Sequence, residues 1–190
     1  SYCCERRIAR ASPTVKREPD ENEILLAGPL PGEVEPLGDG AAGNGIQPLL
    51  PAQLGEPALA VSVARLVPSK RVDLAIAATH RLHPRFRLGV VGDGPDRKRL
   101  ADLPGADVVH FEGMVPRDQA LAWIAAADVL VHTSTSEAAP TAVREARLLG
   151  TPVVACDAGD VALWAQHDPG IVVVKPDPTA IASAMRHLTT

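Results

Sequence analysis

From Ala58 onward the chain alternates short apolar runs with amphipathic segments, and this alternation leaves room for few folds. Runs bounded by turn residues at 59–64, 87–91, 107–111, 129–132, 152–155 and 171–174 read as buried strands. Each is followed by a stretch with helical spacing, near 71–82, 96–102, 117–126, 140–149, 160–166 and 178–188. Short strands alternating with helices run parallel, because each crossover helix returns the chain to the same end of the sheet. Right-handed crossovers then predict an α/β fold, a doubly wound parallel sheet of about six strands with helices on both faces. Composition agrees. Aromatic residues make up only 3%, so Ala, Val, Leu and Ile must fill the core through close helix-on-sheet packing.

At 190 residues one such core accounts for most of the chain, and two full-sized domains do not fit. The first fifty residues lack any sustained period. Five bases and one acid in 1–17 give way to seven acids and no base in 18–39, and Pro and Gly crowd 28–57. We read 1–50 as an irregular linker or the remnant of a preceding domain, and 51–190 as the folded unit. A net charge of −4, with no Lys/Arg cluster interleaved with aromatics, argues against nucleic acid as a partner. No apolar run approaches the roughly 18 residues of a membrane span, and no hydrophobic leader opens the chain. A cytoplasmic location is therefore expected, with attachment at the periphery of a membrane left open. Cys3, Cys4 and Cys156 fit neither a disulfide framework nor a zinc site, and no two histidines have metal-ligand spacing.

In open parallel sheets, ligands bind beyond the carboxyl ends of the strands, so the segments after each strand candidate matter most. After the first comes A-R-L-V-P-S-K, which puts Arg65 and Lys70 in one loop. A forked guanidinium and a point-charge ammonium together suit a diphosphate, though a solvated loop with incidental bases reads the same way. After the second comes V-G-D-G-P-D-R, with the first two glycines of a dinucleotide fingerprint, Gly92 and Gly94, but Arg97 at the third. It also follows the wrong strand for a nicotinamide oxidoreductase, so a turn near a phosphate or base is the better reading.

The stretch after the fourth strand is the most informative, running H-T-S-T-S-E-A-A-P-T-A-V-R-E-A from His132. Pro140 suits the first position of a helix. That places Glu137 in the loop, Glu145 in the second helical turn, and the free N–H groups of Thr141, Ala142 and Val143 between them as an anion cradle. At a rise of about 1.5 Å per residue the carboxylates should lie on the order of 10 Å apart, a span that suits a nucleoside diphosphate-sugar. One would accept from ribose hydroxyls and the other from sugar hydroxyls. His110 and His132 read as packed or hydrogen-bonded strand-end residues, and Cys156 as a small buried hydrophobe.

These segments, with F-E-G-M-V at 111–115 and G-T-P-V-V-A at 150–155, resemble the donor-binding C-terminal domain of retaining GT-B glycosyltransferases with the Glu, seven residues, Glu motif. A-G-N-G-I-Q at 42–47 is similar to that family's interdomain segment, so the likeness covers about 43–190. It implies a Rossmann-like half of a GT-B fold and a hexosyltransferase-type activity that moves a sugar from a nucleoside diphosphate-sugar with retention. By match, Arg65 and Lys70 would bind the diphosphate and stabilise the leaving group. Glu137 would contact the transferred sugar and Glu145 the ribose. Thr141, Ala142 and Val143 would offer backbone N–H groups to the phosphates, and Val115 and Gly92 would line the nucleobase side. No metal or other cofactor is expected, because cations and N–H dipoles answer the leaving-group charge.

Asp157-Ala158-Gly159-Asp160 departs from the family's usual Gly-Gly pair, which leaves the donor sugar open. Only about 42 residues precede the interdomain-like segment, so the acceptor half is expected from an N-terminal domain or a partner chain. The acceptor itself is unknown. A non-catalytic nucleotide-sugar-binding module lacking its acceptor half is the alternative from another functional class.

Overall fold

A computed structural model describes residues 57–189. The expected linker 1–50 lies outside the described residues. Six strands form one sheet: β1 (Ala58–Val63), β2 (Phe86–Val91), β3 (Val109–Gly113), β4 (Val129–His132), β5 (Val153–Cys156) and β6 (Ile171–Val174). The helices are α1 (Val72–Arg81), α2 (Arg97–Ala101), α3 (Arg117–Ala126), α4 (Thr141–Leu148), α5 (Val161–Ala165) and α6 (Pro178–Leu188). Short 3₁₀ turns occupy Pro68–Lys70 and Ala106–Val108.

All five strand pairings are parallel, in the order β3-β2-β1-β4-β5-β6. The chain builds outward from β1 to β3, then returns to the other side of β1 with β4. Loops leaving β1 and β4 therefore diverge to opposite faces of the sheet and open a crevice between them, the topological switch point of a doubly wound sheet. This order brings Arg65 and Glu137, 72 positions apart in sequence, to one edge.

Strands buried on both faces explain the continuous apolar runs. On one face Ala60, Leu88, Val90, Val129, Val131 and Val154 pack with Ile76 of α1 and Ile181 and Met185 of α6. On the other, Val61, Val91, Leu130, Val153 and Ala155 pack with Ile124 of α3, Val143 of α4 and Val161 of α5. Neighbouring residues along each strand thus serve opposite layers, as a period of two requires.

The third strand begins later than its apolar run suggests. Residues 107–108 belong to a 3₁₀ turn, entered through Gly105 at φ 88°, and β3 proper starts at Val109. Val108 is buried beneath that turn, so its hydrophobicity reflects turn packing and not strand pairing. As an edge strand, β3 also exposes His110 and Glu112, which thins its apolar signal. No helix among the described residues is long and apolar enough to cross a membrane.

Candidate active site

The β1 loop is held from beneath by the loop after β2. Gly92 has φ +127°, and a Cβ there would lie 2.0 Å from the Ala64 carbonyl oxygen, so only glycine lets the two backbones meet. The Leu66 N–H donates to the Asp93 carbonyl at 2.9 Å, and the Asp96 N–H donates to the Leu66 carbonyl at 3.0 Å. Arg65, between these anchors, is exposed. Among the described residues its guanidinium has no carboxylate partner.

The polar run after β4 ties the Lys70 turn to the Glu137 loop. Thr133 Oγ1 donates to the Lys70 carbonyl at 2.9 Å, and the Thr135 N–H donates to the Ser69 carbonyl at 3.1 Å. Thr133 and Ser134 are almost wholly buried, so these hydroxyls are structural stitches. On the far side, Gly159 at φ +59° backs the loop after β5 onto the Ala138 carbonyl, where a Cβ would come within 2.2 Å. The sequence departure at 157–160 thus supplies the close contact that supports the Glu137 loop.

Between these loops lies a cleft of about 490 Å³, lined by Arg65, Lys70, Arg117, His132, Glu137 and Glu145 around Pro140, Thr141 and Ala142. That volume is in the range of small-molecule sites. Of the residues expected at a donor site, Gly92, Val115 and Val143 are not among its lining. Gly92 supports the β1 loop from behind, Val115 packs on the α3 side of the core, and the Val143 side chain is fully buried. The N-terminus of α4 faces the cleft with Pro140 at its N-cap, no side-chain cap and no acid in its first turn. Its free N–H groups and the positive end of its dipole make it a receptor for negative charge.

Both carboxylates are paired. Lys70 Nζ donates to Glu137 Oε1. Burial alone would push the Glu137 carboxyl up, but hydrogen bonding with Lys70 and Ser134 and the Lys70 charge outweigh it and hold it below the usual carboxylate range. Arg117 grips Glu145 Oε1 through Nη2 at 2.8 Å and Nε at 3.2 Å, with Arg117 78% exposed and Glu145 only 18%. Three cations against two carboxylates leave the cleft with a positive surplus, and Arg65 is its unpaired member.

Two lining residues, Arg117 and His132, lie outside the set expected at the site. Arg117 occupies the first position of α3, where a cation opposes the helix dipole, and that misfit was a legible signal. His132 is packed as expected, at 6% exposure, but its Nε2 has no hydrogen-bond partner. His110, by contrast, bonds Glu112 at 2.7 Å and stacks on Trp123, and Cys156 is a buried core thiol. Among the described residues no three His, Cys, Asp or Glu side chains gather as a metal site.

Residues 57–190 match the family model of the glycosyl transferases group 1. The chain belongs to that family. Among group 1 relatives, a D-inositol 3-phosphate glycosyltransferase of Streptomyces coelicolor is 34% identical over 157 residues, covering 71% of this chain and 34% of that protein. An exopolysaccharide phosphotransferase of the same species is 33% identical over 132 residues but is matched over only 14% of its length, so its name describes mostly unmatched sequence. A solved Anabaena protein, HepE in complex with UDP-glucose, superposes with a TM-score of 0.61 at 26% identity, covering 73% of this chain and 41% of that one. The chain thus spans 34%, 14% and 41% of the lengths of these three proteins. Its sheet is one Rossmann-like half of the GT-B fold seen in these glycosyltransferases.

Proposed function

We propose that this chain is the donor-binding half of a retaining glycosyltransferase, taking a nucleoside diphosphate-sugar and releasing the nucleoside diphosphate. One observation carries the reading. The switch-point crevice gathers Arg65, Lys70, Glu137, Glu145 and an uncapped helix N-terminus into one cleft with surplus positive charge. The UDP-glucose held by the HepE neighbour supports a donor of this class.

In the proposed reaction an acceptor hydroxyl oxygen bonds to the anomeric carbon as that carbon's bond to the diphosphate oxygen breaks, and the hydroxyl proton passes to the departing diphosphate. Negative charge grows on the phosphates. Arg65, Lys70 and the α4 N–H groups of Thr141, Ala142 and Val143 oppose that charge, so the step needs no metal in this reading. Glu145 would accept from the ribose and Glu137 from the transferred sugar. Retention by same-face attack rests on the family resemblance. Both cleft carboxylates are engaged by cations, which suits them to bind hydroxyls more than to attack the sugar. The acceptor and the domain or chain that presents it lie across the open side of the cleft. No observation favours the non-catalytic alternative, since all four charged residues stand together.

Calorimetric titration with UDP, GDP, ADP and dTDP, each beside its monophosphate, tests the reading. We expect one diphosphate to bind more tightly than the rest and than its own monophosphate. Absence of binding by all four overturns the proposal.

A further inference from the structure

His132 ends β4 directly beneath the Lys70–Glu137 pair, and its Nε2 is the one buried side-chain nitrogen or oxygen among the described residues with no hydrogen-bond partner. A buried polar atom left unpaired costs on the order of 1–3 kcal/mol, so its retention here calls for a partner that arrives. Glu137 Oε1 lies 3.6 Å away, just beyond bonding distance, and that same oxygen is taken by Lys70 Nζ. The charges that act on the imidazole come from these two groups, Lys70 on the 3₁₀ turn after β1 and Glu137 on the loop after β4.

We propose that His132 is a positioning residue for Glu137, donating from Nε2–H to Oε1 once a diphosphate draws Lys70 away. This rests on the donor-site reading. Lys70 cannot serve the diphosphate and Glu137 equally, because one ammonium at a single position cannot neutralise both at full strength. When it moves toward the phosphates, Glu137 loses its cation as the sugar needs that carboxylate held still. A shift of a few tenths of an ångström brings Oε1 within reach of Nε2–H, about 2.7–3.2 Å being the working range. No proton is transferred. The contact calls for the neutral tautomer with its hydrogen on Nε2, and burial favours the neutral form. The two carboxylates of the cleft then differ in support: Glu145 is held by the exposed Arg117, Glu137 by the largely buried His132.

NMR of the His132 imidazole in the full 190-residue chain, assigned by loss of its signal in His132→Gln, decides the matter. In Lys70→Met we expect the Nε2–H proton to move downfield, exchange more slowly and titrate at higher pH than in the parent. Adding Glu137→Leu to that variant should abolish the downfield shift, because it leaves Nε2–H no acceptor, whereas an effect of the lost Lys70 charge alone would persist. Equal behaviour of the single and double variants overturns the inference. A second arm uses inorganic diphosphate on the unaltered chain, where the same downfield shift is expected. Binding without the shift overturns the role of His132 and leaves the donor reading standing. No binding, with the Lys70→Met shift intact, overturns the release of Lys70 by a diphosphate and leaves the donor reading to the nucleoside diphosphate titration.

Discussion

At the residue scale, the cleft's cations differ in what a diphosphate must displace to reach them. Lys70 and Arg117 are each held by a carboxylate, whereas Arg65 has no such partner among the described residues. Nothing offsets its worth to a phosphate except solvent screening. Arg65→Ala is therefore expected to weaken binding of the preferred nucleoside diphosphate by about 1.5–3 kcal/mol, toward the lower end because the side chain is exposed. Calorimetry showing unchanged affinity would remove the diphosphate from this loop. His132 makes a separate prediction about stability. Burial is the main cause holding its proton affinity below the ordinary histidine value of 6.5, against the pull of Glu137. As pH falls through 6.5, the unfolded chain takes up a proton that the folded chain refuses, so folding stability drops. Glu137 acts in the same direction at lower pH, since its carboxyl is held below the ordinary 4.5 and its contribution fades as that range is crossed. Denaturant unfolding at pH 7.5 and 5.5 should show a smaller acid loss in His132→Gln than in the parent, and identical losses would contradict the burial argument.

At the scale of elements, strands β4 and β6 begin and end where the apolar pattern places them, and α3 and α6 match their amphipathic spans residue for residue. α6 is legible because its core-facing residues Ile181, Ala182, Ala184 and Met185 recur at helical spacing, whereas α3 buries only Ile124 and Ala126 and is marked chiefly by Pro116 before it. β4 and β6 are legible because they are short, nearly unbroken apolar runs. β3 is less so, because an edge strand pairs on one side and a buried turn residue imitates its first position. The charged members of the site, Arg65, Lys70, Glu137 and Glu145, follow from residue type and place after a strand. Their supports do not. Thr133 and Ser134 read as an ordinary polar loop, and only the folded chain shows them fastening the turn that carries Lys70. Gly92 is readable as a glycine that must be a glycine, but what it touches, the Ala64 carbonyl, is a tertiary fact. From that contact, Gly92→Ala should destabilise the fold by about 1–3 kcal/mol through its positive φ and backbone clash. Because the displaced segment carries Arg65, the variant should also lose diphosphate affinity at temperatures where it remains folded. A destabilised Gly92→Ala that keeps full affinity would show that the loop positions are independent.

At the scale of the whole molecule, residues 57–190 hold fourteen bases and fourteen acids, so the −4 charge of the chain resides entirely in residues 1–56. The folded unit offers an anion no long-range attraction, and its pull must come from the cleft itself. That cleft has two poles, Lys70 with Glu137 at one and Arg117 with Glu145 at the other, with the α4 N-terminus between. If Glu145 serves the ribose, removing it should affect only ligands that carry one. Glu145→Ala is expected to weaken a nucleoside diphosphate by about 1.5–3 kcal/mol, the range for hydrogen bonds to a charged group. Inorganic diphosphate should bind it at least as well as the parent, because a carboxylate has gone and Arg117 is freed from its partner. Parallel titrations of the two ligands separate these effects within one variant. Equal losses for both would mean that Glu145 does not hold the ribose and acts on both ligands through its grip on Arg117.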